Sequence, residues 1–224
     1  MMTFADFEAF LRLSFPDVAP EALERFRRME DGYRDWNSKI NVISRKDIGN
    51  LYDHHILHSL AIAEYLRTRR PETYSSFLDP GKEIKVLDLG TGGGFPGIPL
   101  AVMFPAARFT LCDSVGKKTI VAKEISDMLG LANVEVVNAR AESLPGRFDF
   151  VVSRAVASLT DFYPWVRGKY SGSILYLKGG DINEELCDLM SRERLRKGSV
   201  TTWDVGSWLN DPYFNGKFVI DIRR

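Results

Sequence analysis

The chain has 224 residues, 45% of them apolar and 27% charged, with 30 basic against 30 acidic side chains. That length buries a full core without staples, and the composition excludes a disordered chain. A formal charge of zero excludes a global cationic field, so any grip on nucleic acid must come from a local patch. Residues 1–70 read helical. Leu23, Phe26, Met29, Tyr33, Trp36 and Ile40 recur at steps of three and four, one apolar stripe. Ser44, with Asp47 three positions on, predicts a capped helix through Leu51, Ile56, Leu60 and Ala63 to about Leu66. Pro71 to Lys82, with Pro80 and Gly81, reads as a polar linker.

After the linker, strands alternate with helices. Strands are expected at Ile84–Leu89, Arg108–Cys112, Val134–Asn138, Phe148–Ser153 and Ser173–Lys178. Short helices fit between them, among them Ile98–Phe104, closed by Pro105, and Lys117–Leu129, stopped by Gly130. Such alternation implies a parallel sheet with right-handed crossovers. The end differs: Thr201–Leu209 and Lys217–Ile222 read as strands joined by a turn-rich link with no helix, which suits an antiparallel hairpin. Residues 1–82 are thus expected to be a helical extension with its linker. Residues 83–224 form an α/β domain, the whole one compact unit.

The chemistry concentrates where the first strand ends. Gly90, Gly92, Gly93, Gly94 and Gly97 follow Leu89, and glycine lets a loop take φ > 0 and press its backbone on a ligand. Two patterns overlap there. Gly92 to Gly97 matches the dinucleotide G-x-G-x-x-G, and Asp88 to Gly94 matches the D-x-G-x-G-x-G of S-adenosylmethionine-dependent methyltransferases. Asp88 is expected to reach ligand hydroxyls or ammonium through the loop. Asp113, closing the second strand, can accept hydrogen bonds from a ribose or merely cap the next turn, and it serves either cofactor. Pro96 and Pro99 remove backbone donors from the first turn of the following helix, which disfavours a pyrophosphate. A mostly parallel sheet ending in an antiparallel hairpin is also the Rossmann-like methyltransferase pattern.

Five segments in order resemble one family: Trp36–Val42, His55–Leu60, Asp88–Leu100, Asn138–Glu142 and Ser153–Ala157. The family is RsmG, also called GidB, bacterial methyltransferases of small-subunit ribosomal RNA that act on guanine N7. The resemblance covers nearly the whole chain and loosens after Lys178. It implies S-adenosylmethionine as cofactor, with contacts at Gly90, Phe95, Ala141, Glu142 and Arg154. It also implies small-subunit RNA or its ribonucleoprotein particle as partner. Arg140 matches a family arginine near the site, and His58 departs from the aspartate common in its motif.

The ends of parallel strands converge on one crevice, which should collect Asp88, Asp113, Arg140 to Glu142 and Arg154. Phe95 can pack on the cofactor's apolar surface. Arg140 and Arg154 suit an RNA phosphate or the methionine carboxylate, or alternatively a surface ion pair with Asp149 or Glu142. The basic runs holding Arg25 and Arg28, and Arg67, Arg69 and Arg70, lie in the amino-terminal helices, expected beside the cofactor edge, and are RNA-phosphate candidates. His54, His55 and His58 lack the carboxylate spacing that would complete a metal set, and no metal is expected.

Guanine N7 has a lone pair and no proton, so transfer to it needs no general base, and no catalytic base is identified. The transfer is expected to run by proximity, with Arg154 the candidate catalytic residue. The Asp/Asn-Pro-Pro-Tyr pattern of amino-group methyltransferases is replaced after the fourth strand by Ser153-Arg154-Ala155-Val156. Cys112 and Cys187 give neither a disulfide framework nor a zinc spacing, and neither sits where a carbon-5 nucleophile is needed. No apolar run approaches membrane-spanning length, and Asp6 and Glu8 break the amino terminus, so a cytoplasmic protein that does not meet the membrane is expected. A monomer is a separate expectation, to which no motif speaks. Two rival functions carry different signatures: an NAD-dependent oxidoreductase, and a non-catalytic RNA or ribosome-assembly factor.

Overall fold

The computed structural model describes all 224 residues. Helix α1 (Phe4–Ser14) starts from a capping box in which Thr3 and Asp6 bond each other's backbone. Helix α2 (Pro20–Lys39) opens on a proline, whose missing N–H costs nothing at that position. Its predicted stripe is buried through Leu23, Phe26, Met29 and Tyr33. The next helix does not begin as expected. Asp47 makes no side-chain cap. Its carboxylate is taken instead by Asn50, His54 and His55. The chain enters through a tight turn at Ile48–Asn50 and a π-helical stretch at Leu51–Leu57 before α3 (His58–Arg69). The linker is also more ordered than its composition predicts. Pro71 starts α4 (Pro71–Leu78), whose Phe77 packs on Phe104 and Phe150 at 4.9 and 5.0 Å between ring centres.

Strands and helices then alternate: β1 (Lys85–Leu89), α5 (Gly97–Met103), β2 (Arg108–Asp113), α6 (Gly116–Leu129), β3 (Val134–Asn138), β4 (Phe148–Arg154), α7 (Leu159–Val166), β5 (Tyr170–Gly179) and α8 (Asn183–Arg192). Gly130 ends α6 in the left-handed region, at φ 65°. The chain closes with β6 (Val200–Asp204), the one-turn helix α9 (Gly206–Leu209) and β7 (Lys217–Arg223). The predicted strand to Leu209 stops at Asp204, because Asp204 accepts from Gly206 N at 2.9 Å and Ser207 Oγ at 2.6 Å and turns the chain.

The seven strands lie in the order β3-β2-β1-β4-β5-β7-β6. β1 to β5 pair in parallel, and β7 inserts antiparallel between β5 and β6. This is the Rossmann-like sheet with an antiparallel end that the sequence predicts. Both faces are covered, as a parallel sheet requires. Alternate residues point to opposite sides: Val86, Phe109, Leu111 and Val152 meet α2, α3, α5 and α6, while Leu87, Leu89, Val151 and Tyr176 meet α7 and α8. The amino-terminal helices therefore share one core with a face of the sheet, and this brings their residues to the ends of β1 and β4.

Candidate active site

Strand order reverses between β1 and β4, and a crevice opens there outside the strands' carboxyl ends. It is a cavity of about 590 Å³, within the ~300–1,000 Å³ typical of small-ligand sites. Gly90, Gly92 and Phe95 from the loop after β1, Asp113 after β2, Arg140, Ala141 and Glu142 after β3, and Arg154 after β4 all line it.

Asp88 does not. It is fully buried, and its Oδ2 accepts from Thr91 Oγ1 at 2.6 Å and from Gly97 N at 2.8 Å. It braces the loop from behind, the opposite of the direct ligand contact expected. Burial raises its carboxyl to about 7, against the pull of those two bonds. Its Oδ1 is buried with no hydrogen-bond partner.

Asp113 holds the front of the loop. Its Oδ2 accepts from Gly92 N at 2.9 Å and its Oδ1 from Val115 N at 2.8 Å. It thus caps the turn and lines the cavity at once, so the two alternatives read from sequence are not exclusive. Each oxygen keeps a second lone pair for a ligand hydroxyl. Gly90 sits at φ 72°, and a Cβ there would meet Val156 Cγ2 at 2.3 Å. Gly92 sits at φ 57° with no atom within 4 Å of a Cβ, so the wall is open where a ligand must pass close to backbone. After β4 the chain turns sharply: Ala155 takes φ 48°, rare for a residue with a side chain, and both Ala155 and Val156 line the cavity.

Phe95 turns its ring inward, 4% exposed, stacked on Tyr33 at 4.8 Å and 5.0 Å from the Arg154 guanidinium carbon. Tyr33 Oη donates to Gly93 O at 2.8 Å. Arg154 pairs with neither Asp149, which accepts from Lys85 N and Ser171 Oγ, nor Glu142. It donates to His55 Nδ1 at 3.3 Å. His54 stacks flat on Tyr213 at 3.4 Å, and His58 is buried beside Phe214. Val42, Lys118 and Trp165 also line the cavity and were missed. Val42 stands inside a quoted family segment. Lys118 and Trp165 carry no sequence signal, since a helix charge and a helix aromatic look like any surface and core residue.

The amino-terminal arginines lie elsewhere. Arg25 donates to the carbonyls of Leu129 and Gly130 at 3.1 and 3.5 Å, and Arg28 to that of Met128, so both finish the carboxyl end of α6. Arg67 pairs with Glu64 at 2.8 Å, and Arg70 bonds Ser173 Oγ at 2.5 Å and Asp221 at 3.3 Å. Arg69 is exposed in the last turn of the same helix. Met128 to Gly130 and Ser173 mark the sheet edge opposite the cavity. The expectation that these runs flank the cofactor edge is therefore corrected: α2 and α3 cross the sheet with their basic ends pointing away.

Cys112 is buried in β2 and donates to Ala139 O at 3.2 Å, and burial pushes its thiol up to about 11. A thiol so buried is a poor candidate for covalent catalysis. No helix is long and apolar enough to cross a membrane.

A nucleoside-sulfonium cofactor fits these walls. Gly92 leaves its backbone open, Asp113 offers acceptors for ribose hydroxyls, Ala141 and Val115 give apolar flanks, and Arg154 brings a positive charge. A dinucleotide fits poorly. At the start of α5, Gly97 N is taken by Asp88 and Ile98 N by Gly94 O, and Pro99 has no N–H, so no donors remain for a pyrophosphate.

Known proteins point the same way. Ribosomal RNA small subunit methyltransferase G of Christiangramia forsetii is 44% identical, over 94% of each chain. The protein of the same name in Bacteroides thetaiotaomicron is 49% identical, over 76% of this chain and 81% of its own. Among solved structures, magnesium protoporphyrin IX methyltransferase of Synechocystis PCC 6803 with bound S-adenosylmethionine superposes with a TM-score of 0.59. At 14% identity over 98% of this chain and 97% of that one, it shares the fold. With its glycine loop, its Ser153-Arg154 turn and residues 22–206 matching the GidB model, the chain belongs to that family, rRNA small subunit methyltransferase G.

Proposed function

We propose that this protein transfers a methyl group from S-adenosylmethionine to N7 of one guanosine in 16S ribosomal RNA, in the cytoplasm and as a monomer. The observation that carries the cofactor reading is the blocked start of α5 beside the open wall at Gly92, which admits a nucleoside and refuses a pyrophosphate. The same donors argue against the NAD-dependent oxidoreductase.

When bound, the cofactor supplies an activated methyl group on a sulfonium. The protein's share is placement. Asp113 orients the ribose, Ala141 and Val115 flank the base, Glu142 and Arg140 stand at the rim, and Arg154 holds the amino-acid end. Guanine N7 presents a lone pair without a proton, so no residue has to remove one. Alignment of the reacting atoms carries the rate, an effect worth about 7 kcal/mol or more. The burial of Cys112 inside β2 agrees with a direct transfer. For the RNA, exposed Arg140 and half-buried Lys118 line the cavity. They replace the distant runs of α2 and α3 as the phosphate contacts of this reading.

The test incubates the protein and methyl-labelled S-adenosylmethionine with small subunits, or their naked RNA, from cells lacking this protein. Label in 7-methylguanosine at one position is expected. Binding of RNA without transfer to either substrate would establish the non-catalytic assembly factor instead.

A further inference from the structure

Arg154 stands at the cavity wall with its charge uncompensated. No carboxylate lies within ion-pair distance, and Asp88 and Asp47 act on it only at longer range. Its one side-chain hydrogen bond is to His55 Nδ1, at 3.3 Å. A guanidinium only donates, so that nitrogen must accept and the ring proton must sit on Nε2. His55 Nε2 in turn donates to Asp47 Oδ2 at 2.8 Å. Asp47 is fixed on its other oxygen by Asn50 Nδ2 at 3.0 Å and His54 Nδ1 at 2.6 Å. The result is a chain from carboxylate through imidazole to guanidinium, joining the amino-terminal helices to the end of β4.

The chain restrains Arg154 without neutralising it. A carboxylate in the place of His55 would cancel the charge, whereas a neutral imidazole accepts one N–H and leaves the rest of the fork to the cavity. Burial and the neighbouring Arg154 hold His55 at about 4, so the ring stays neutral near pH 7. Phe95 closes the other side of the guanidinium, and its ring also lies 5.5 Å from that of His55.

We propose that His55, held by Asp47, is a positioning residue that aims the Arg154 guanidinium at the methionyl carboxylate of the bound cofactor. This rests on the cofactor reading above. It predicts a selective defect, because only ligands that carry the carboxylate feel the arginine's placement.

The experiment compares, by titration calorimetry, S-adenosylhomocysteine with 5′-methylthioadenosine, which keeps the nucleoside and thioether but lacks the amino-acid end. His55→Leu is expected to weaken S-adenosylhomocysteine about tenfold, one charge-assisted hydrogen bond's worth, and to leave 5′-methylthioadenosine unchanged. His55→Gln, a neutral side chain that both accepts and donates, is expected to restore most of the loss. In turnover, His55→Leu raises KM for S-adenosylmethionine more than it lowers kcat. Equal weakening of both ligands, or of neither, would overturn the proposal. If His55→Leu fails to fold, Asp47→Asn gives the same comparison, with a smaller selective loss expected and the same results against it. Wild-type protein that binds no S-adenosylhomocysteine would overturn the cofactor reading itself, a result visible before any variant is made.

Discussion

The Tyr33 hydroxyl donates to the Gly93 carbonyl across 2.8 Å, tying helix α2 to the glycine loop over 60 positions of sequence. Both residues are buried. Tyr33→Phe keeps the ring stacked on Phe95 and removes only the donor, leaving a buried carbonyl unpaired. The expected cost is about 1–3 kcal/mol in urea unfolding, with weaker S-adenosylhomocysteine binding as the loop loosens. An unchanged unfolding midpoint would show that the bond contributes nothing.

Gly92 and Gly90 separate binding from folding. Gly92→Ala adds a methyl in open space at a left-handed position, costing about 1–2 kcal/mol, so the protein still folds. The methyl stands on the cavity wall, and S-adenosylhomocysteine affinity is expected to fall by more than stability does. Gly90→Ala drives a Cβ into Val156 and is expected to lose melting temperature as well. Calorimetry and thermal melts on both variants distinguish the two outcomes.

Asp88 makes stability fall with pH. Its folded carboxyl, near 7, lies above the ordinary 3.8, so the folded state holds the proton more tightly. The associated stability is complete below pH 3.8 and is lost as pH rises through about 7. The loss is on the order of a few kcal/mol. Asp88→Asn keeps an acceptor for Thr91 and Gly97 and cannot ionise. The expected result is a flatter dependence of unfolding free energy on pH between 5 and 8; an equal slope in wild type and variant would contradict it.

The arginines at the two sheet edges should behave in opposite ways. Arg140→Ala is expected to raise KM for the RNA substrate and lower the magnitude of the salt slope by about one. Arg25→Ala uncaps α6 and is expected to cost about 1 kcal/mol of stability while leaving the salt slope alone. A slope change with Arg25→Ala would return the amino-terminal run to the RNA interface.

The kinds of elements and the place of the cofactor loop are written in local sequence. Apolar periods of two and near four, the glycines that permit φ > 0, and Gly130 as a stop are local properties, written in neighbouring residues. So the parallel strands, the antiparallel end and the lining role of Gly90, Gly92, Asp113, Ala141 and Arg154 are legible in the sequence. Locally, though, an aspartate or an arginine looks the same whichever way it faces. Long-range packing sets Asp88 behind the loop as its brace and Asp113 at its front. It also decided that Pro71–Leu78 is a packed helix, because Phe77 finds Phe104 and Phe150. The same packing carried the basic ends of α2 and α3 to the far edge and brought His55 against Arg154, 99 residues away. Sheet edge and partner are set by the direction in which each helix crosses the sheet, and that direction is chosen by burial of the shared core.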